Sequence, residues 1–236
     1  MPEIRLITFD LDNTLWDVGQ VIRYAEATMN SWLDREVPAY RQRIQSEDLM
    51  ALRERIASDR PELRHDVSAF RREVLFQGMR TLGHEEQDAR RLAEEAFNVF
   101  FTARQKVEFY EHALETLAQL QERYLLAALS NGNAHVESIG LDRYFSFALS
   151  SADVQASKPA PDMFHAALEE AGVRPDEAIH VGDHLVDDIH GAGSVGMHTI
   201  WVKHGARGDT VAHTQPSATV ERLKDLPEAV VRIHEG

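Results

Sequence analysis

Four short stretches of the chain gather the groups that could do chemistry. They are Asp10-Leu11-Asp12-Asn13-Thr14, Ser130-Asn131-Gly132-Asn133, Ser157-Lys158-Pro159, and Gly182-Asp183-His184 followed by Asp187 and Asp188. Asp10, Asp12, Asp183 and the Asp187/Asp188 pair would repel one another strongly in one cleft, and a bound cation would relieve that repulsion. A few hard oxygen ligands suit Mg²⁺, which takes one or two carboxylates, keeps waters and accepts phosphate oxygens from a substrate. Side chains two apart in an extended segment point to the same side. Asp10 and Asp12 can therefore both face the cleft and still do different jobs. Ser130 adds a hydroxyl beside free backbone donors, and Lys158 adds one positive charge.

These stretches need elements that bring them to one place. Arg5–Leu11 is an apolar, β-branched run ending in an acid, as expected of a buried strand. From about residue 17 to about 105 the pattern is helical throughout. Val18, Val21, Ile22, Ala25, Met29, Trp32 and Leu33 recur at three- and four-residue steps on one face. Leu49, Leu52 and Ile56 repeat the pattern behind Ser46, a candidate N-cap. Val67, Phe70 and Val74 repeat it again, as do Ala89, Leu92, Ala96, Val99 and Ala103. Val37-Pro38, Arg60-Pro61 and Leu82-Gly83 supply the turns between them. The block is expected to be a bundle of about four helices.

Beyond it, strands alternate with helices. The expected elements are helix Glu111–Arg123, strand Tyr124–Leu129, strand Phe147–Ser150, helix Asp162–Ala171 stopped by Gly172, strand Ala178–Asp183, a helix ending near Gly193 and Gly196, strand His198–Val202, and helix Pro227–Ile233. Such alternation means an α/β fold, a doubly wound parallel sheet covered on both faces. Residues 1–16 and 106–236 would form this core, and 17–105 a helical bundle inserted after the first strand. Ligands of open α/β sheets bind outside the carboxyl ends of the strands. Asp10, Ser130 and Asp183 all fall there, and Lys158 lies just before a helix.

Asp-x-Asp-x-Thr after an apolar strand, Ser-Asn at the end of a second, then Lys-Pro, then Gly-Asp-x4-Asp, in that order, resembles the haloacid dehalogenase superfamily over the whole chain. The inserted helical cap belongs to the same resemblance. Within the superfamily, Ser130-Asn131-Gly132-Asn133 and Gly182-Asp183-His184-Leu185 are most similar to phosphatases acting on flavin mononucleotide and on the phosphorylated ribitylaminouracil of riboflavin synthesis. The resemblance implies that Asp10 attacks phosphorus and forms an aspartyl-phosphate. It implies that Asp12 first protonates the leaving alkoxide and then acts as base on the hydrolytic water. Ser130 with the amides of Asn131 and Gly132 would hold phosphoryl oxygens, and Lys158 would neutralise charge. Mg²⁺ would sit on the Asp10 carboxylate, the Asp12 carbonyl and Asp183. Thr14, Asp187 and Asp188 would support these groups, one of the two acids orienting Lys158 or a metal-bound water.

The implied function is a Mg²⁺-dependent phosphomonoesterase acting on a small phosphorylated metabolite. The same fold also houses phosphomutases and dehalogenases. A dehalogenase lacks the second aspartate, since a departing halide needs no proton, and Asp12 is present here. A non-catalytic binder should have lost at least one of these charged groups. Trp16, Asp17, Arg53, Arg55, Arg71 and Arg72 are candidates for reading the substrate where a cap closes over the site; the bland alternative for the arginines is a solvated helix face. Of His180, His184, His190, His198, His204 and His213, His184 alone is expected to line the site, because it follows Asp183. The others do not show the helix-face spacing of a zinc site.

Composition narrows the field further. The 236 residues carry 25 Lys+Arg against 39 Asp+Glu, a net charge of −14, and no cysteine. Thiolate catalysis, thiolate metal sites and disulfides are excluded. The acidic balance disfavours nucleic acid and anionic membranes as partners. The N-terminus lacks a basic region followed by an apolar run and a small-residue cleavage site, so a cytoplasmic protein is expected.

Overall fold

The structure is a computed structural model and describes residues 3–44, 46–203 and 214–235. In chain order its main elements are β1 (Leu6–Phe9), α1 (Val18–Glu36), α2 (Ala39–Arg43), α3 (Ser46–Asp59), α4 (Val67–Thr81), α5 (Glu86–Arg104), α6 (Ala113–Gln121), β2 (Leu125–Ser130), α7 (Val136–Ile139), β3 (Phe147–Ser150), α8 (Ser151–Val154), α9 (Asp162–Ala171), β4 (Ala178–Gly182), a π-helical turn Leu185–His190, α10 (Gly191–Ser194), β5 (His198–Val202), β6 (Ala218–Val220) and α11 (Leu226–Glu235). They divide into two compact units, Met1–Val18 with Glu108–Gly236, and Gly19–Val107. Among the described residues no helix is long and apolar enough to cross a membrane.

The first unit is an α/β sheet. Its described strands are all parallel, in the order β3-β2-β1-β4-β5-β6. β1 and β4 are buried along their whole length, as apolar strands covered on both faces should be. The chain runs outward from β1 through β2 to β3, then crosses back to lay β4 on the other side of β1. The carboxyl ends of β1 and β4 therefore flank the point where strand order reverses, the position at which such sheets bind ligands. Register fixes the match: Phe9 pairs with Val181, and the Asp10 amide donates to the Val181 carbonyl at 2.8 Å.

Residues just past β1 stop extending the strand. The Leu11 carbonyl accepts from the amides of Thr14 (3.2 Å) and Leu15 (2.9 Å), and Asn13 takes a left-handed conformation with φ 67°. The strand is thus shorter than the apolar run Arg5–Leu11, because Asp10, Leu11 and Asp12 belong to this tight loop. α6 is likewise shorter than the expected Glu111–Arg123, since His112 sits at φ 65° and cannot be helical. α9 spans the expected Asp162–Ala171 and ends on Gly172 at φ 61°, a left-handed cap that glycine adopts without a Cβ clash.

The second unit is all-helical. α1 buries Val21, Ala25, Met29 and Leu33, one stripe at four-residue steps. Ala25, Met29, Leu33, Met79, Phe97 and Phe100 lie in one apolar core. α4 is capped by Asp66, whose carboxylate accepts from the Ala69 amide at 2.8 Å. The four expected helices are α1, α3, α4 and α5, joined by short α2 and a 3₁₀ turn Pro61–His65. Val67 departs from the expected apolar face: it is 42% exposed, and Val74 rather than Val67 is buried. Arg71 lies 3.7 Å over the Phe100 ring and Arg72 lies 3.6 Å over Phe97. Both guanidiniums thus cover this unit's aromatic core. Arg53 and Arg55 are exposed.

Candidate active site

Asp10 is the hub. Its carboxylate is buried and accepts from Lys158 Nζ at 2.8 Å on one oxygen and from Thr14 Oγ1 at 2.9 Å on the other. The Lys158 ammonium spends its two other donors on Asp188 Oδ1 (2.7 Å) and the Leu129 carbonyl (2.8 Å). An ammonium has three donors and no acceptor, so this cation is fully satisfied. Asn131 sets the lysine in place: its side-chain oxygen accepts from the Lys158 amide (2.8 Å), and its side-chain nitrogen donates to the Lys158 carbonyl (2.9 Å). The loop after β2 and the loop before α9 are thereby locked together.

Both Asp188 oxygens are engaged. Its Oδ1 takes Lys158 and His180 Nε2 (3.1 Å), and its Oδ2 takes the His184 amide (2.9 Å). His180 is buried and meets Thr8 Oγ1 with its other nitrogen at 2.8 Å. A neutral imidazole here accepts from Thr8 and donates to Asp188. The π-helical turn that carries Asp188 is capped by the His184 side chain, whose Nδ1 accepts from the Asp187 amide at 3.0 Å. π turns recur at functional sites because the extra residue re-aims a side chain. Gly182 makes room for it: a Cβ there would fall on the Asp188 carboxyl.

Asp183 faces Asp10 from the end of β4. Thr14 Oγ1 lies 3.5 Å from its carboxylate, and its backbone carbonyl accepts from Trp201 Nε1 at 2.9 Å. Oxygens of Asp10, Asp183 and Asp188 lie within 4.8 Å of one another, and among the described residues this is the group able to hold a metal. Burial pushes the Asp10 carboxyl up to about 8, helped by the charges of Asp188 and Asp183 and opposed by Lys158. Burial would also raise Asp188 and lower Lys158. Lys158 and the His180 bond outweigh burial at Asp188 and hold it well below the usual carboxylate range, and Asp10 with Asp188 outweighs burial at Lys158 and holds it above the usual lysine range. One carboxylate too many shares one cation. All-oxygen donors with a surplus negative charge suit a hard cation such as Mg²⁺.

Asp12 is placed differently. Its Oδ1 accepts from Trp16 Nε1 at 2.8 Å. Trp16 is fully buried, edge-on to Phe109 at 5.8 Å, so it does not read a substrate as its sequence position suggested. The Ser130 hydroxyl accepts from the Gly132 amide at 2.9 Å and starts no helix, since α7 begins at Val136.

The geometry brings Asp10, Thr14, Lys158, Asp183 and Asp188 into one network. It leaves Asp187 at its margin, paired at 3.4 Å with a half-exposed His184 whose side chain serves the helix cap. His190 bonds Thr214 at 2.9 Å, and His204 and His213 lie outside the described residues. Four contributors were missed in the sequence: Thr8, His180, Trp201 and the Asn131 side chain. Thr8 and His180 face each other only through the β1–β4 register.

The family model for haloacid dehalogenase-like hydrolases matches residues 4–196. The chain belongs to that family. Among curated relatives of this haloacid dehalogenase-like hydrolase, it is 36% identical over 234 residues to the 5-amino-6-(5-phospho-D-ribitylamino)uracil phosphatase YigB of Escherichia coli, covering 98% of each chain. It is 35% identical over 166 residues to the phosphoserine phosphatase of Thermus thermophilus, covering 67% of this chain and 63% of that one. A crystal structure described as 2-haloacid dehalogenase from Pseudomonas syringae pv. Tomato superposes with a TM-score of 0.92 at 39% identity, covering 97% and 99% of the two chains.

Proposed function

We infer that this hydrolase is a Mg²⁺-dependent phosphomonoesterase working through an aspartyl-phosphate on Asp10. The observation that carries the reading is the division of labour between two carboxylates on one loop. Asp10 lies in the cation cluster with Asp183, while Asp12 is held apart by Trp16. Phosphoryl transfer needs little covalent chemistry beyond placement and charge stabilisation.

An Asp10 oxygen attacks phosphorus as the bond to the leaving oxygen breaks, and Asp12 gives that oxygen its proton. Lys158, already on Asp10, offsets charge on the nucleophile and the incoming phosphoryl group. Ser130 and the Asn131 and Gly132 amides would receive phosphoryl oxygens. The Gly132 amide then trades its bond to Ser130 for one to substrate. Asp12, now ionised, takes a proton from the water that attacks phosphorus and frees Asp10. Mg²⁺ held by Asp10, Asp183 and the Asp12 carbonyl would supply positive charge that draws a phosphate dianion into an acidic crevice. Asp188 and His180 keep Lys158 aimed.

The YigB relative supports a phosphorylated ribitylaminouracil or a related flavin-pathway phosphate as first substrate to try. The helical unit, inserted after the first motif, is the proposed seat of substrate choice. A second reading, haloacid dehalogenase, is favoured by the description of the Pseudomonas structure. Halide departure needs no proton and no metal, so it leaves Asp12 and the surplus acid without a use. A panel of phosphate monoesters with Mg²⁺, run beside 2-haloacids, separates the two. Phosphate release that is lost on chelation supports the phosphatase, and halide release without metal overturns it.

A further inference from the structure

We propose that Trp16 is the positioning residue of the Asp12 acid/base. The inference rests on the phosphomonoesterase reading above. An indole N–H donates and cannot accept. The Asp12 oxygen 2.8 Å from Nε1 must therefore be an acceptor in both protonation states. The bond thereby fixes the orientation of the carboxyl group whichever of its oxygens carries the proton.

The proton balance follows. In the first half-reaction the Asp12 O–H bond breaks, its proton passes to the leaving oxygen, and the phosphorus–leaving-oxygen bond breaks as Asp10 bonds phosphorus. In the second, the attacking water returns a proton to the Asp12 carboxylate while the Asp10–phosphorus bond breaks.

The indole has no freedom to release Asp12. Trp16 and Asp12 are backbone partners, the Asn13 amide donates to the Trp16 carbonyl at 2.8 Å, and Trp16 also pairs with Phe109, which packs edge-on against its ring. The Tyr110 amide closes the same ladder on Leu15 at 2.8 Å. Asp12 thus leans on a rigid, buried prop, whereas a carboxylate on a free loop would sample several rotamers. Asp12 and Trp16 sit four residues apart across a loop whose left-handed Asn13 makes the turn.

The test compares kcat/KM on an aryl phosphate, whose leaving group departs without a proton, and on an alkyl phosphate, whose leaving group needs one. A positioned general acid contributes roughly 10²–10⁴-fold. Trp16→Phe, which keeps an aromatic ring and removes the donor, should lower kcat/KM on the alkyl ester about tenfold or more and on the aryl ester less than about threefold. In an Asp12→Asn background the same change should have no further selective effect. Equal losses on both esters, or a selective loss that persists beside Asp12→Asn, would overturn the proposal. Wild-type enzyme that turns over neither ester would instead sink the phosphatase reading, and this inference with it.

If Trp16→Phe does not fold, the indole N–H resonances of the wild type decide. Asp12→Ala should shift the Trp16 signal and leave those of Trp32 and Trp201 in place. An unmoved Trp16 signal overturns the inference.

Discussion

Replacing Lys158 by Met would leave the centre of the sheet crevice with three carboxylates and no cation. In the wild type one ammonium, almost completely enclosed, bonds Asp10, Asp188 and the Leu129 carbonyl at 2.7–2.8 Å. Removing one partner of a buried pair costs about 3–5 kcal/mol because the other charge is left uncompensated. Here Asp188 loses its cation, Asp10 loses a buried donor, and an orphaned buried carbonyl adds about 1–3 kcal/mol. A loss of at least about 3–5 kcal/mol corresponds to a fall of roughly a hundredfold to several thousandfold in the folded-to-unfolded ratio. That is a large part of a typical domain's stability of about 5–15 kcal/mol.

The sign with pH is also set. Without Lys158, Asp10 and Asp188 bind protons more tightly in the folded than in the unfolded state. Stability must then fall as pH rises through the carboxylate range and above. Urea unfolding of Lys158→Met against wild type, in chelator at pH 5 and pH 8, should show the larger deficit at pH 8, partly recovered by Mg²⁺. An equal stability at pH 8, or a larger deficit at pH 5, would show that Lys158 does not compensate these carboxylates.

Other expectations come from the same cluster. In metal-free protein Asp10 keeps its proton up to about pH 8, against an ordinary value of 3.8, so stability declines as pH rises between the two. Asp10→Asn removes that decline and should melt above wild type in chelator at pH 8, with the gap narrowing at pH 5. Mg²⁺ binding should displace the Asp10 proton, so its affinity should climb by up to about tenfold per pH unit below pH 8. Calorimetry in two buffers of different ionisation enthalpy reads the proton directly. Gly182→Ala places a methyl on the Asp188 carboxyl and should destabilise by about 1–3 kcal/mol while lowering turnover, seen in parallel melting and phosphatase assays.

The parallel sheet was legible because β1, β2, β4 and β5 are apolar runs bounded by polar residues, and the motifs at their ends reported their direction. The short elements α2, α7, α8 and β6 were not, since they carry neither a periodic pattern nor a bounded apolar run. Asp10, Lys158 and Asp183 could be named from spacing because each is a charge at a strand end or helix start. Their supports could not. Thr8 and His180 resemble ordinary strand residues until register sets them opposite each other. The Asn131 side chain acts across a 27-residue gap that only the fold closes. Trp16 shows the limit in the other direction: an aromatic beside a catalytic loop can face a ligand or the core, and here its ring is buried while its one polar atom serves Asp12.

Asp10 itself is proposed to carry the phosphoryl group. Rapid acid quench of the enzyme with Mg²⁺ and a turned-over phosphate ester, followed by peptide mass analysis, tests it most directly. One added phosphoryl group is expected on the peptide containing Asp10 within the first turnover, absent from Asp10→Asn. Phosphate appearing on another residue, or full turnover by Asp10→Asn, would contradict it.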